Sequence, residues 1–379
     1  MSVRRPQRGT PRRPKSWEPI APVSSASVSS ASLAVPRASA ATRLGDLDRA
    51  KGLAILLVVF GHLVARTTPP GAHWYDALRI AVYLFHMPLF MYLSGYVTFL
   101  SGAARTPLAD WPLLVRRRTA RLLLPFALFG LAILCGKLVV ARYAPVDNVP
   151  PGIVAGLRDL VWTTHHSPAQ SVWYIAVLFA FCIATPPLLA LDRRRVLLVV
   201  AAVVLYLLPL PQTLYLNRVG TYFLFFVAGG LAADAGPAWR RTVDRIWPCA
   251  LAALAAIALP VALGWIHFDW SEGNDAFPYK WALLLAGIVS MPAVHGLVRH
   301  GVLAKSATLL FLGRYVFVIY LLNTVFIGLA KAVLLRFVSW EGAHFLPFAA
   351  VLMLAGVAGP LLTKRLLLRH LPWLDRATA

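Results

Sequence analysis

The sequence predicts an all-α polytopic membrane protein, a bundle of about ten transmembrane helices with both termini in the cytoplasm. Three observations predict it. Of 379 residues, 59% are hydrophobic and 14% charged, more apolar surface than a soluble chain can hide. The apolar residues fall in runs long enough to cross a bilayer, and too long and uniform for barrel strands. The Lys and Arg residues lie in the N-terminal tail and in short links between those runs, which is how topology is encoded. The net charge of +22 therefore reads as membrane orientation and argues against a nucleic-acid face.

Taken in order, residues 1–44 form a basic tail, with "RRPQRGTPRRPK" and "SSASVSSASLA". This composition cannot bury a core, so a disordered cytoplasmic segment is expected. It lacks a continuous apolar stretch, so no cleavable signal peptide is expected. The ten predicted spans are 46–66, 75–100, 113–141, 170–190, 194–210, 217–234, 244–264, 279–298, 306–331 and 344–366. They make a transmembrane domain over 45–367, with a short cytoplasmic tail at 368–379. With the N-terminus inside, the basic clusters fall on the inner side: Arg116, Arg117, Arg118 and Arg121, then Arg193, Arg194 and Arg195, then Arg240, Arg241 and Arg245. Outer links hold scattered cations such as Arg66, Arg79 and Arg142. The protein is thus expected to be a multi-pass protein of the cell inner membrane. The two longest outer loops, 142–169 and 265–278, combine aromatics, carboxylates and amides. They read either as an interfacial aromatic belt or as a platform for a sugar. The three cysteines lie in apolar runs without metal-ligand spacing, and no metal is expected.

The first span reads "KGLAILLVVFGH". Eleven steps along a helix put Lys51 and His62 on one face, roughly 16 Å apart. Ionisable side chains are costly in lipid. Lys51 has two readings: a snorkelling residue paired with Asp48 one turn earlier, or a holder of something anionic. His62 also has two: a neutral histidine bonded to a neighbouring helix, or a proton acceptor for a hydroxyl. A substrate bridging both would have an anionic head at the cytoplasmic face and a reactive end deep in the membrane. Acyl-CoA has that shape.

Four further features carry polar chemistry. In "LVRRRTARLLLP", Arg117 and Arg121, or Arg118 and Arg121, share a helical face and can bind phosphate oxygens bidentately; as positive-inside anchors they need no such role. In "LFHMPLFMYLSGY", His86 lies mid-membrane, and Pro88 is expected to kink the helix and free a carbonyl. In "LGRYVFVIYLLNT", Arg314, Tyr315, Tyr320 and Asn323 are polar enough to line a cavity, with Arg314 equally suited to an interface. The adjacent His165 and His166 have no third ligand in view and read as solvated loop residues.

These segments, "LDRAKGLAILLVVFGH", "FHMPLFMYLSGY", "RRRTAR", "SVWYIAVLF" and "LGRYVFVIYLLNT", resemble in order the motifs of the membrane acyltransferase-3 family, over residues 44–367. The first is most similar to the fucose 4-O-acetylase-like branch. The resemblance implies O-acylation, usually O-acetylation, of envelope or exported glycans, with acyl-CoA (acetyl-CoA) as co-substrate. It implies that His62 and Lys51 are the catalytic pair, and that Arg117, Arg118 and Arg121, with Lys51, hold the CoA. His86, Tyr96, Trp173, Tyr174, Arg314, Tyr320 and Asn323 are then expected to line the substrate path. Asn323 stands where family members often carry His, which removes a general acid from that position. No appended esterase domain, and so no two-domain acyl relay, is expected. The expected partners are a glycan or lipid-linked saccharide acceptor, acyl-CoA and the bilayer. The rival readings are a flippase for a lipid-linked glycan, and succinyl rather than acetyl transfer.

Overall fold

The computed structural model describes residues 37–64, 68–143, 146, 148–192, 194–268, 277–370 and 375. Outside them lie most of the tail expected at 1–44, Arg66, Arg193, residues 269–276 of the second outer loop and most of the expected tail at 368–379. The bundle is built within residues 41–379. Among the described residues the regular structure is helical throughout: α1 (Arg37–Gly61), α2 (His73–Tyr83), α3 (His86–Leu100), α4 (Trp111–Arg118), α5 (Leu124–Val140), α6 (Ile153–Val161) and α7 (Trp173–Leu191). There follow α8 (Val196–Leu207), α9 (Leu216–Ala235), α10 (Pro237–Ala262), α11 (Phe277–Leu297), α12 (Ala307–Arg314), α13 (Val316–Leu334) and α14 (Gly342–Leu366). Helix α1 begins at Arg37, inside the stretch whose composition reads as tail.

Among the described residues eight segments are long and apolar enough to cross a membrane, where the sequence predicted ten. The two that fall short do so for different reasons. Helix α1 carries Asp46, Asp48, Arg49 and Lys51 in one stretch, which lowers its apolar length. Helix α8 has only 12 residues, roughly 18 Å of rise, less than a bilayer core.

Three predicted spans are interrupted. The second breaks at Leu84 and Phe85, so Pro88 sits in the first turn of α3. A proline is tolerated there because that turn needs no intrahelical N–H. The third contains a π-turn over Thr119–Leu123, just before Pro125, which has no N–H to give back to Arg121. The ninth breaks at Tyr315 between α12 and α13.

Burial identifies the spine. Twelve of the 15 residues of α3 are buried, against four of 17 in α5 and three of 26 in α10. A helix buried all round is central, and one exposing apolar side chains faces lipid. Helices α3 and α9 meet backbone to backbone. A Cβ on Gly95 would overlap the Phe226 carbonyl, and one on Gly229 the Tyr92 carbonyl. Lipid gives no hydrophobic force between helices, so such small-residue approaches supply the packing. Gly52 and Gly313 play the same part between α1 and α12. A Cβ on Gly313 would meet the Asp48 carbonyl, and one on Gly52 the Leu309 carbonyl. The crossed pairing shows that α12 runs antiparallel to α1 and sets Arg314 at the level of Asp48.

Gly229→Ala should therefore lower stability by about 1–3 kcal/mol through overpacking, seen as a lower thermal midpoint in detergent. Gly136→Ala, whose added Cβ meets nothing within 4 Å, should leave the midpoint unchanged or raise it.

Candidate active site

Helix α1 ends at Gly61, one residue before His62. The last turn tightens: His62 N–H donates to Val59 O (3.1 Å) and Leu63 N–H to Phe60 O (3.4 Å). A helix end leaves carbonyls without intrahelical donors, and in a bilayer each must find another. Helix α2 supplies them. Tyr75 Oη donates to Phe60 O (2.6 Å), Tyr83 Oη to Gly61 O (2.8 Å) and Arg79 Nη1 to Val64 O (3.0 Å). The three donors stand at i, i+4 and i+8, one row of α2. Arg79 is fixed in turn by Asp76 (2.9 Å) and by the Tyr75 ring, 5.8 Å from centroid to guanidinium. Gly61 admits the Tyr83 ring, which a Cβ would overlap.

Sequence analysis missed this clamp, although the spacing of Tyr75, Arg79 and Tyr83 was legible. Its effect is to hold His62 at the end of a short, fully tied turn. The His62 ring is half-buried, and among the described residues no side chain or carbonyl hydrogen-bonds to it. His86 stands within electrostatic reach of it. The His86 ring packs on Tyr83, centroids 4.8 Å apart, and its Nδ1 lies 2.9 Å from Val82 O. A carbonyl only accepts, so Nδ1 carries the proton and Nε2 the lone pair.

From His86 a slanting row runs along α3 through Phe90, Ser94 and Thr98, one residue per turn, over roughly 18 Å. Tyr174 and Tyr320 lie against the Phe90 turn. Phe90 meets the Tyr174 ring at 5.0 Å, and Tyr174 meets Tyr320 at 5.1 Å. Ser94 Oγ donates to Phe90 O (2.8 Å), so the Tyr174 hydroxyl donates to Ser94 Oγ (2.6 Å). Asn323 directs its Nδ2 to Ile319 O (3.0 Å) and Tyr320 O (2.8 Å). Among the described residues its Oδ1 is buried without a partner. At the far end Thr98 meets Cys182 of α7, which is within reach of Arg118 and Arg121.

The remaining site residues of the sequence reading are distributed as follows. Arg118 is half-buried, whereas Arg117 and Arg121 are both exposed; Arg118 and Arg121 are the two within electrostatic reach of Cys182. Lys51 pairs with Asp48 (3.3 Å). Arg314 is exposed at the end of α12. Tyr96 belongs to a different group, roughly 15 Å along α3 from His86. Trp173 lies at the start of α7 and stacks on Tyr222 at 5.2 Å. Among the described residues no group of three His, Cys, Asp or Glu side chains converges for a metal.

The group around Tyr96 centres on His295, another residue the sequence reading passed over. Tyr96 approaches the His295 ring edge-on at 5.7 Å. Trp239 Nε1 donates to Tyr92 Oη (2.8 Å), and Tyr92 Oη shares a hydrogen bond with His295 Nδ1 (3.0 Å). Beyond it an ionic cluster closes this end of the bundle. Asp46 accepts Arg240 (3.2 Å) and Arg299 (3.0 Å), and Arg299 also holds Asp244 through two bonds of 2.8 Å. Asp234 likewise receives Arg105 and Arg195. Tyr92→Phe should leave a buried indole N–H and an imidazole nitrogen unpaired, costing about 1–3 kcal/mol, read as a lower thermal midpoint.

A family model described as an acyltransferase domain matches residues 44–365. Nodulation protein NolL of Sinorhizobium fredii (strain NBRC 101917 / NGR234) is 29% identical over 239 residues, 62% of this chain and 58% of that protein. Nodulation protein NolL of Mesorhizobium japonicum (strain LMG 29417 / CECT 9101 / MAFF 303099) is 26% identical over 265 residues, 69% of this chain and 65% of that protein. Both matches cover less than two thirds of the relative's length. No solved structure matches. The family match takes in α1, the α2 clamp, the row along α3 and the Arg118–Arg121 pair, and the chain belongs to the acyltransferase-3 family.

Proposed function

We propose that this protein is an integral-membrane O-acyltransferase. It moves an acetyl group from cytoplasmic acetyl-CoA to a sugar hydroxyl of a surface or exported glycan. The observation that carries the reading is the row along α3, with His62 and His86 at one end and Arg118 and Arg121 at the other. In this reading the Asp46 end of the bundle is cytoplasmic, both termini are inside and the membrane is the inner one. Arg118 and Arg121, supported by Arg117 and Lys51, hold the CoA phosphates by charge-assisted hydrogen bonds. The pantetheine arm lies along α3. Asn323 Oδ1, unpartnered among the described residues, offers one of its amides an acceptor.

The thioester carbonyl then stands at His62. The sugar hydroxyl attacks it from the opposite side while His62 removes its proton. The new C–O bond forms as the C–S bond breaks, and His62 returns the proton to the departing CoA thiolate. The ring needs to be neutral, oriented and unoccupied. The clamp on α1 supplies the orientation, and the free ring nitrogens supply the capacity.

The test uses purified protein, labelled acetyl-CoA and glycan from the host envelope. His62→Ala should lower transfer by about 10²- to 10⁴-fold, and wild-type rates in that variant would overturn the assignment. Arg118→Gln and Arg121→Gln should each raise KM for acetyl-CoA by about tenfold or more with kcat largely kept. Mass spectrometry should show one acetyl group added per site. A succinyl increment would change the donor, and glycan movement without acetyl-CoA consumption would replace the reading with a flippase.

A further inference from the structure

At the His62 end of the bundle stands a cation that neither the clamp nor the ionic clusters use. Arg218, in the first turn of α9, is half-buried. Its guanidinium lies over the Trp173 ring, 5.0 Å from the centroid. Trp173 is stacked in turn on Tyr222, with planes 28° apart. Arg79, Arg240 and Arg299 each bind a carboxylate. Among the described residues Arg218 has no carboxylate partner. Tyr83 and Tyr279 lie within electrostatic reach of it. Tyr83 is the residue whose hydroxyl holds the Gly61 carbonyl, next to His62. One tyrosine therefore separates this cation from the proposed base.

A guanidinium drawn out of water without a counter-ion is unfavourable. It becomes favourable when a ligand brings the anion. The half-buried Trp173 indole beside it, backed by the buried Tyr222 ring, is the kind of aromatic group on which a sugar ring lies. We propose that Arg218 and Trp173 form an acceptor subsite for an anionic saccharide. The guanidinium binds a charged oxygen group, either the carboxylate of an acidic sugar or the phosphate of a carrier. The ring lies against the aromatic face, and a hydroxyl reaches His62. This rests on the acyltransferase reading and names the acceptor's chemical class within it.

The test is a binding measurement on the detergent-solubilised full chain, with Trp fluorescence as readout and three probes that differ only in charge: glucose, glucuronate and glucose 1-phosphate. Wild type should bind at least one charged probe about 10- to 100-fold more tightly than glucose at low salt. Arg218→Gln should abolish that difference, and Arg218→Lys should keep part of it. Preference for glucuronate names a sugar carboxylate, and preference for glucose 1-phosphate names a phosphate-linked sugar. Equal binding of all three by wild type, or a preference that survives in Arg218→Gln, overturns the proposal. Acetyl-CoA binding is titrated in parallel. Its absence in wild type would count against the acyltransferase reading, whereas its persistence in Arg218→Gln alongside lost charge preference confines the effect to the acceptor subsite.

Discussion

The structure depends first on how α1 is allowed to end. A helix that stops in a hydrocarbon layer exposes carbonyls that water cannot reach, each costly if left alone. Tyr75, Arg79 and Tyr83 of α2 answer three carbonyls around this end. Because those bonds come from one row of one neighbouring helix, they fix the chain around His62 as well as closing the helix. A histidine on a frayed end would sample many positions. Here the turn is determined from outside, which is the preorganisation that the proposed proton transfer requires.

The clamp works because the bundle core is rigid around it. Helix α3 is buried on nearly every side, and the approach of its backbone to α9 leaves no room for a side chain at Gly95 or Gly229. That close approach frees its other faces for larger groups. One carries the polar and aromatic row from His86 to Thr98, and another carries Tyr92 and Tyr96 toward His295. At the far end, Asp46 gathers Arg240 and Arg299, joining α1 to α10 and to the residues after α11. Helix α1 is thus held at both ends, by two tyrosines and the Asp76-paired Arg79 at one and by the Asp46 ion pairs at the other.

Much of this was legible in the sequence, and the reasons are local. Apolar length and basic links announce a polytopic helical protein. The row of Arg118 and Arg121 is a helical-spacing argument, and the pairing of Lys51 with Asp48 follows from i,i+3 geometry. Of the ten expected spans, apolar length alone marks eight among the described residues. Helix α8 is too short, and the charges of α1 are paired within the bundle rather than standing clear of it. Pro88 was expected to kink a helix. The chain instead breaks at Leu84 and Phe85 and starts a new helix, because a proline is tolerated in a first turn.

The sequence by itself determined the helical class, the family motifs and which side chains are chemically able to act, since these depend on residue type and spacing along one chain. Only the tertiary structure decided which of them meet. His62 and His86, Tyr174 and Tyr320, or Trp239, Tyr92 and His295 are brought together by contacts between helices far apart in the chain, and no periodicity encodes such a partner. The same holds for Arg218. In sequence it is one more outer-side arginine, and only the packing of α7 against α9 sets it over Trp173, with no acid among the described residues to neutralise it.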